Sequence, residues 1–138
     1  MDQVSVFVEN KPGALSEITG ALAEAGIDLK AFTVADTSEF GILRFLSDAP
    51  KKALALLKMA GWVASLTPVV AVKMSDEPGS LAKVLKLFAE ADVQVEYMYA
   101  FVAQEEGQAY VVFRVADPDG AVALLESSGA ITVASIAK

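Results

Sequence analysis

Two short stretches of this chain carry residue types whose spacing could hold a small zwitterion. Asn10-Lys11-Pro12-Gly13 and, 66 positions on, Asp76-Glu77-Pro78-Gly79 each stand between an alternating apolar run and an amphipathic stretch. A helix beginning there presents unpaired N–H groups and about half a positive charge, which suits a carboxylate. Gly13 and Gly79 have no side chain, so a ligand can approach the backbone closely. Asn10 and Asp76 put acceptors at the loop entrance, and Asp28 and Gln94 put others just past the helix, where an α-ammonium could be held. The two stretches are unequal. Lys11 adds positive charge beside the carboxylate position, whereas Asp76 and Glu77 add negative charge that opposes a carboxylate unless the ammonium is the group received. The first stretch is therefore expected to be the better site. The same residues also suit an ordinary helix entry, with Asn or Asp closing an Asx-turn and proline fixing the first turn. Sequence chemistry alone leaves both readings open.

Composition removes other chemistry. The chain has no cysteine and no histidine, so thiolate nucleophiles, imidazole bases and sites ligated by either residue are absent. Asp, Glu, Lys or Tyr could still catalyse, but no convincing acid–base pair stands out. No enzyme activity, cofactor or metal is expected. The net charge of −7 and the two scattered arginines, Arg44 and Arg114, argue against nucleic acid. Hydrophobic residues make up 54% of the chain, yet no apolar run approaches the ~18 residues of a membrane span. The apolar excess points instead to covered sheets and to surface buried in a partner, most simply a homodimer. The N-terminus lacks the pattern of a signal peptide, which points to the cytoplasm.

The elements that must position these residues come twice. Between positions 4–29 and 70–95, 8 of 26 pairs are identical, and such a repeat governs the whole fold assignment. In the first copy the pattern predicts a strand over 3–9, a helix opened by Pro12-Gly13 and running to about Ala25, and strands over 27–35 and 40–47. A second helix over 51–60 and a strand over 62–66 follow. Gly26 and Gly61 end the two helices. The second copy follows with a strand over 69–75, a helix over 79–91, strands over about 93–103 and 108–116, a helix over 119–128 and a strand over 130–136. Hairpin turns are expected at 36–39 and 104–107. Each copy is then a βαββαβ module in the ferredoxin-like manner, with both helices on one face of an antiparallel sheet. The other face is expected to stay bare and apolar through strands such as 29–35 and 95–101. The modules are assigned to residues 1–67 and 68–138, joined at Thr67-Pro68 with almost no linker. Trp62 is expected in the core, Glu105-Glu106 in an exposed turn, and Tyr97 and Tyr99 at a pairing interface.

Strand, Asn10-Lys11-Pro12-Gly13-Ala14-Leu15, helix, then Gly26-Ile27-Asp28-Leu29 entering a strand resembles the ACT domain. The second copy does so through Asp76-Glu77-Pro78-Gly79-Ser80-Leu81 and Asp92-Val93-Gln94-Val95. The resemblance covers essentially the whole chain as two tandem domains. It implies a regulatory module that binds a small ligand, usually an amino acid, at an interface between paired domains. Carried over by position, the ligand contacts fall on Asn10, Gly13, Ala14, Leu15 and Asp28, and on Asp76, Gly79, Ser80, Leu81 and Gln94. One ligand could touch both copies. An amino-acid-binding regulator is thus the leading expectation. The alternative is a regulatory subunit docked constitutively on an amino-acid biosynthetic enzyme, with the loops purely structural.

Overall fold

The structure, a computed structural model, describes residues 1–36, 39–102 and 105–133. It falls into two compact units, one of Asp2–Thr67 and one of Met1 with the described residues from Pro68 onward. The first module contains β1 (Asp2–Glu9), α1 (Ala14–Glu24), β2 (Leu29–Asp36), β3 (Phe40–Ser47), α2 (Pro50–Met59) and β4 (Val63–Pro68). Its sheet has the order β2-β3-β1-β4. The second contains β5 (Val70–Ser75), α3 (Ser80–Glu90), β6 (Tyr97–Val102), β7 (Gln108–Arg114), α4 (Pro118–Ser127) and β8 (Ile131–Val133), in the order β6-β7-β5-β8. Both are βαββαβ modules with antiparallel sheets, as the repeat predicts. Each helix carries the chain past a central strand, the split βαβ connection.

Alternation builds each core. Val4, Val6 and Val8 of β1 and Leu43 and Phe45 of β3 turn to one face and pack with Ala14, Ile18 and Leu22 of α1 and Ala53 and Leu57 of α2. In the second module Val70, Val72, Val111 and Phe113 meet Val84 and Phe88 of α3 and Ala121 and Leu125 of α4. Phe88 and Phe113 pack edge to face with ring centroids 5.2 Å apart, an arrangement that the ring quadrupoles favour. Trp62 packs, partly buried, against the first core.

Several boundaries differ from the sequence expectations. Pro12 lies before α1 rather than in its first turn, because Gly13 adopts φ 90° and the helix begins only at Ala14. Strand β6 starts at Tyr97, so residues 93–96 form an irregular approach to the sheet. The expected hairpin positions Thr37, Ser38 and Gln104, and the last residues of the expected final strand, lie outside the described residues. The apolar outer face differs from the expectation in the first module alone. In β6, Tyr99 and Phe101, paired with Val112 and Tyr110, do lie opposite the core face of Val111 and Phe113. Phe32 and Val34 pair with Phe45 and Leu43, so they lie on the helix-bearing face, exposed because β2 is an edge strand that the helices cover only in part. In the first module the exposed apolar residues of the opposite face are Phe7, Phe40 and Val63, with the Phe7 and Phe40 rings 5.3 Å apart.

Candidate functional site

Backbone bonds hold each β-to-α connection. In the first, the Asn10 N–H donates to the Glu39 carbonyl at 3.0 Å and the Lys11 N–H to the Glu9 carbonyl at 2.9 Å, turning the chain out of β1. Gly13 follows in the left-handed region, and its carbonyl accepts from Glu17 N–H at 2.9 Å to start α1. No side chain caps α1. The second connection repeats this backbone, with the Asp76 N–H on the Gly107 carbonyl at 2.8 Å and Gly79 at φ 91°. A side chain at φ near +90° would be strained, although a Cβ would meet no neighbour within 4 Å at either glycine. The glycines are thus required by the turn itself.

What surrounds the two turns differs. At the first, Asn10, Lys11, Ala14 and Leu15 line a hollow of about 90 Å³ together with Val8, Glu9, Val34 and Gly41. Ala14 is buried at its base and Leu15 is 41% exposed at its rim. Three waters would fill that volume, so an amino acid seated there needs a second surface to cover it. The Lys11 ammonium lies 3.4 Å from the Glu9 carboxylate with both side chains exposed, a pairing that water leaves weak. At the second turn the Ser80 and Ser75 hydroxyls are hydrogen-bonded at 2.8 Å, and Leu81 packs against the core. Asp76 and Glu77 stand exposed beside them.

Asp28 and Gln94 are not brought to these loops within their own modules. Each follows an 11-residue helix that starts at the loop, which puts roughly 16 Å between the two ends. Asp28 instead holds the Lys30 ammonium at 2.7 Å. Gln94 lines a larger cavity of about 630 Å³ at the far end of α3, with Ala91, Asp92, Val93, Glu96, Ala116, Asp117, Gly120, Ala121 and Leu124. Sequence reading missed this cavity. Its signal is a substitution between copies, with Gly120 standing where the first module has Lys52, 68 positions earlier.

Little else invites catalysis. Among the described residues no cluster of three acidic residues could hold a metal ion. Glu105 lies 2.6 Å from the Lys73 ammonium and holds its pKa above the ordinary lysine value of 10.5. Arg114 bonds Glu96 at 3.4 Å and the Pro68 carbonyl at 3.0 Å, a sheet-surface role. No helix of the described residues is long and apolar enough to cross a membrane.

Two βαββαβ modules in tandem, each opening its first helix from a glycine turn, define a paired ferredoxin-like architecture. The profile of the ACT domain pair matches residues 1–130, and the chain belongs to the ACT-domain family. Among solved structures it is similar to protein BT0572 from Bacteroides thetaiotaomicron, at 36% identity over 96% of this chain and 90% of that one, with a TM-score of 0.90. The ligand-free regulatory subunit of aspartate kinase from Thermus thermophilus shares the fold at 20% identity over 92% and 91% of the chains, with a TM-score of 0.68. Aspartate kinase from Synechocystis, at 18% identity and a TM-score of 0.62, matches 99% of this chain with 27% of its own length. Among curated proteins none matches.

Proposed function

We propose that this chain is a ligand-binding regulatory module with no reaction of its own, acting in the cytoplasm and taking a free amino acid at the first β-to-α loop. The observation that carries the reading is the hollow beside the Gly13 turn, lined from that turn by Asn10, Lys11, Ala14 and Leu15. It combines an open helix N-terminus, a glycine backbone free of side-chain cover, Lys11 at the rim and an apolar wall of Val8, Leu15 and Val34. The ligand carboxylate sits against the N–H groups of Gly13 and Leu15, with Ala14, whose own N–H is bonded to the Lys11 carbonyl, beneath it and Asn10 at the entrance. The volume of about 90 Å³ is far below the several hundred Å³ of a typical small-molecule site, so a second copy closes it in a homodimer. Asp28 of that copy supplies the acceptor for the α-ammonium, since the copy's own loop is too far away. The second loop, with Asp76, Gly79, Ser80, Leu81 and Gln94, is the weaker site, and the modules 1–67 and 68–138 work as a pair. Ligand binding shifts the pairing equilibrium to the extent that it favours one arrangement.

The test is a thermal-melt series with the twenty amino acids at millimolar concentration, alongside light scattering for oligomeric state. A ligand at a hundredfold over its Kd stabilises by about 2.7 kcal/mol, or roughly 5–10 °C for a chain of this size. One or two hits, lost in Gly13→Val, are the expected outcome, and a flat panel sinks the reading. The runner-up, constitutive docking on an amino-acid biosynthetic enzyme, draws support from the exposed apolar Phe7, Phe40 and Val63. It predicts stoichiometric co-purification with no amino acid added.

A further inference from the structure

The two modules treat the far end of their first helix in opposite ways. In the first module the Lys52 ammonium reaches back from α2 and donates to the Ala25 carbonyl, the C-cap residue of α1, at 3.1 Å. Lys30, five residues past the C-cap of the same helix, has its ammonium on Asp28. This end of a helix carries about half a negative charge, and a primary ammonium satisfies it. The corresponding positions of the second module are Gly120 for Lys52, Glu96 for Lys30 and Asp92 for Gly26. Both cations are gone. Asp92, Glu96 and Asp117 bring three carboxylates, while Asp28 and Asp48 give way to Gln94 and Ala116. Glu96 is paired with Arg114 at 3.4 Å, which leaves Asp92 and Asp117 to face the groove. The groove of about 630 Å³ opens where Lys52 would have lain, and no lysine or arginine lines it.

From this we infer that the second module binds a free alkylamine in the groove between the end of α3 and the start of α4. The ligand ammonium takes the place that Lys52 occupies in the first module, against the Ala91 end of α3. Asp92 and Asp117 neutralise it, and its alkyl stem lies on Val93, Ala121 and Leu124. Three points favour a small molecule of this class. The first module already shows a primary ammonium on an alkyl stem seated at the equivalent position. The volume falls within the ~300–1,000 Å³ of small-molecule sites. A bare metal ion does not suit the groove, since no metal-binding cluster occurs among the described residues.

The experiment is an amide NMR titration of the whole chain with 1,4-diaminobutane at fixed ionic strength, with tetramethylammonium as a cation that lacks N–H donors. Saturable shifts are expected at residues 91–96 and 116–124, with little change at 25–30 and 48–56, and none from tetramethylammonium. The paired substitution Asp117→Ala with Gly120→Lys installs the first module's Ala49 and Lys52. Removing the Asp117 carboxylate also clears the space that a Cβ at residue 120 would strike. The variant carries its own ammonium and should lose the saturable shifts. Asp92→Gly provides a second check that keeps the fold, because the first module has Gly26 there at a similar positive φ. It should weaken binding several-fold. Shifts spread over all acidic surfaces, equal for both cations and unchanged in either variant, would overturn the assignment. So would binding of a capped lysine peptide without binding of the diamine. The two readings stay separable, because panel hits belong to the first loop only where Gly13→Val removes them, whereas a lysine hit removed by Asp117→Ala with Gly120→Lys belongs to the groove.

Discussion

The two modules repeat their backbone closely and their charges hardly at all. Gly13 and Gly79 stand at φ 90° and 91°, and each is followed by an 11-residue helix. At the loop, however, Lys11 faces Glu77; on the outer sheet face, Phe7 faces Lys73; behind the helix, Lys30 and Lys52 face Glu96 and Gly120. The shared features are those that the fold requires, namely a left-handed residue to leave the strand and an alternating core to seat the helices. These differences in charge lie outside the two buried cores. A duplicated scaffold of this kind keeps one geometry and offers two chemically distinct surfaces. The comparison can be broken at the level of the core, the turn, the helix cap or the surface.

The core should give the largest and most equal effects. Phe45 and Phe113 are fully buried at equivalent positions of β3 and β7. Truncating either to alanine should cost about 3–5 kcal/mol through lost transfer energy and a residual cavity. Chemical denaturation of the two variants checks this. A cost in one module at least twice that in the other would show that the two cores are not equivalent supports. Next come the turns. Gly13→Val and Gly79→Val each place a β-branched residue at φ near +90° and should each cost about 1–3 kcal/mol, read as matched losses of Tm. Ligand response should vanish only in Gly13→Val. Loss from Gly79→Val instead would exchange the ranking of the two loops.

The duplicated plan was legible because its causes are local. The recurrence of Pro-Gly in register, the Val4-Val6-Val8 alternation and the glycines that end helices each follow from one residue's conformational range or one strand's periodicity. The misses share a different origin. Proline suits either a first helical turn or the turn before it, and the left-handed Gly13 decided in favour of the latter. Strand β6 begins at Tyr97, where its pairing with Arg114 starts, a register between residues far apart in sequence. Strand 29–35 was expected to make the outer face apolar, but the pairing of its Phe32 with Phe45 puts that ring on the helix face, and cross-strand register is not written in either strand alone. The candidate site was half legible. Asn10, Lys11, Ala14 and Leu15 do share a hollow, which Gly13 borders without lining, while Asp28 and Gln94 sit a helix length away. The groove behind α3 depends on a side chain that is missing, and absence shows only when the copies are set side by side through their second helices.

A smaller effect separates the modules at the second helix. Asp117 accepts from the Gly120 N–H at 3.1 Å and caps α4, whereas Ala49 at the start of α2 offers no cap. Asp117→Ala should cost about 1 kcal/mol, and Ala49→Asp should gain a comparable amount at most. Thermal melts of the two single variants and the double would show whether the exchange cancels, as it should for sites that share no partner.

The smallest effect lies on the outer sheet face, where Phe7 of the first module corresponds to Lys73 of the second. Phe7 meets Phe40 there, while Lys73 is paired with Glu105. The hydrogen bond to Glu105 raises the Lys73 pKa above 10.5 and outweighs the lowering by desolvation. A raised lysine favours the folded state while it is charged in both states, that is, below its unfolded value. The contribution fades as pH climbs through the folded value. Wild type should therefore melt slightly above Glu105→Gln at pH 7–9, with the gap closing as pH rises past the ordinary lysine range. No matching trend should appear for a Phe7 variant, since nothing in that contact titrates. A gap that persisted undiminished at pH 11 would mean that Glu105 acts through packing, and the charge contrast between the two outer faces would lose its energetic meaning at this position.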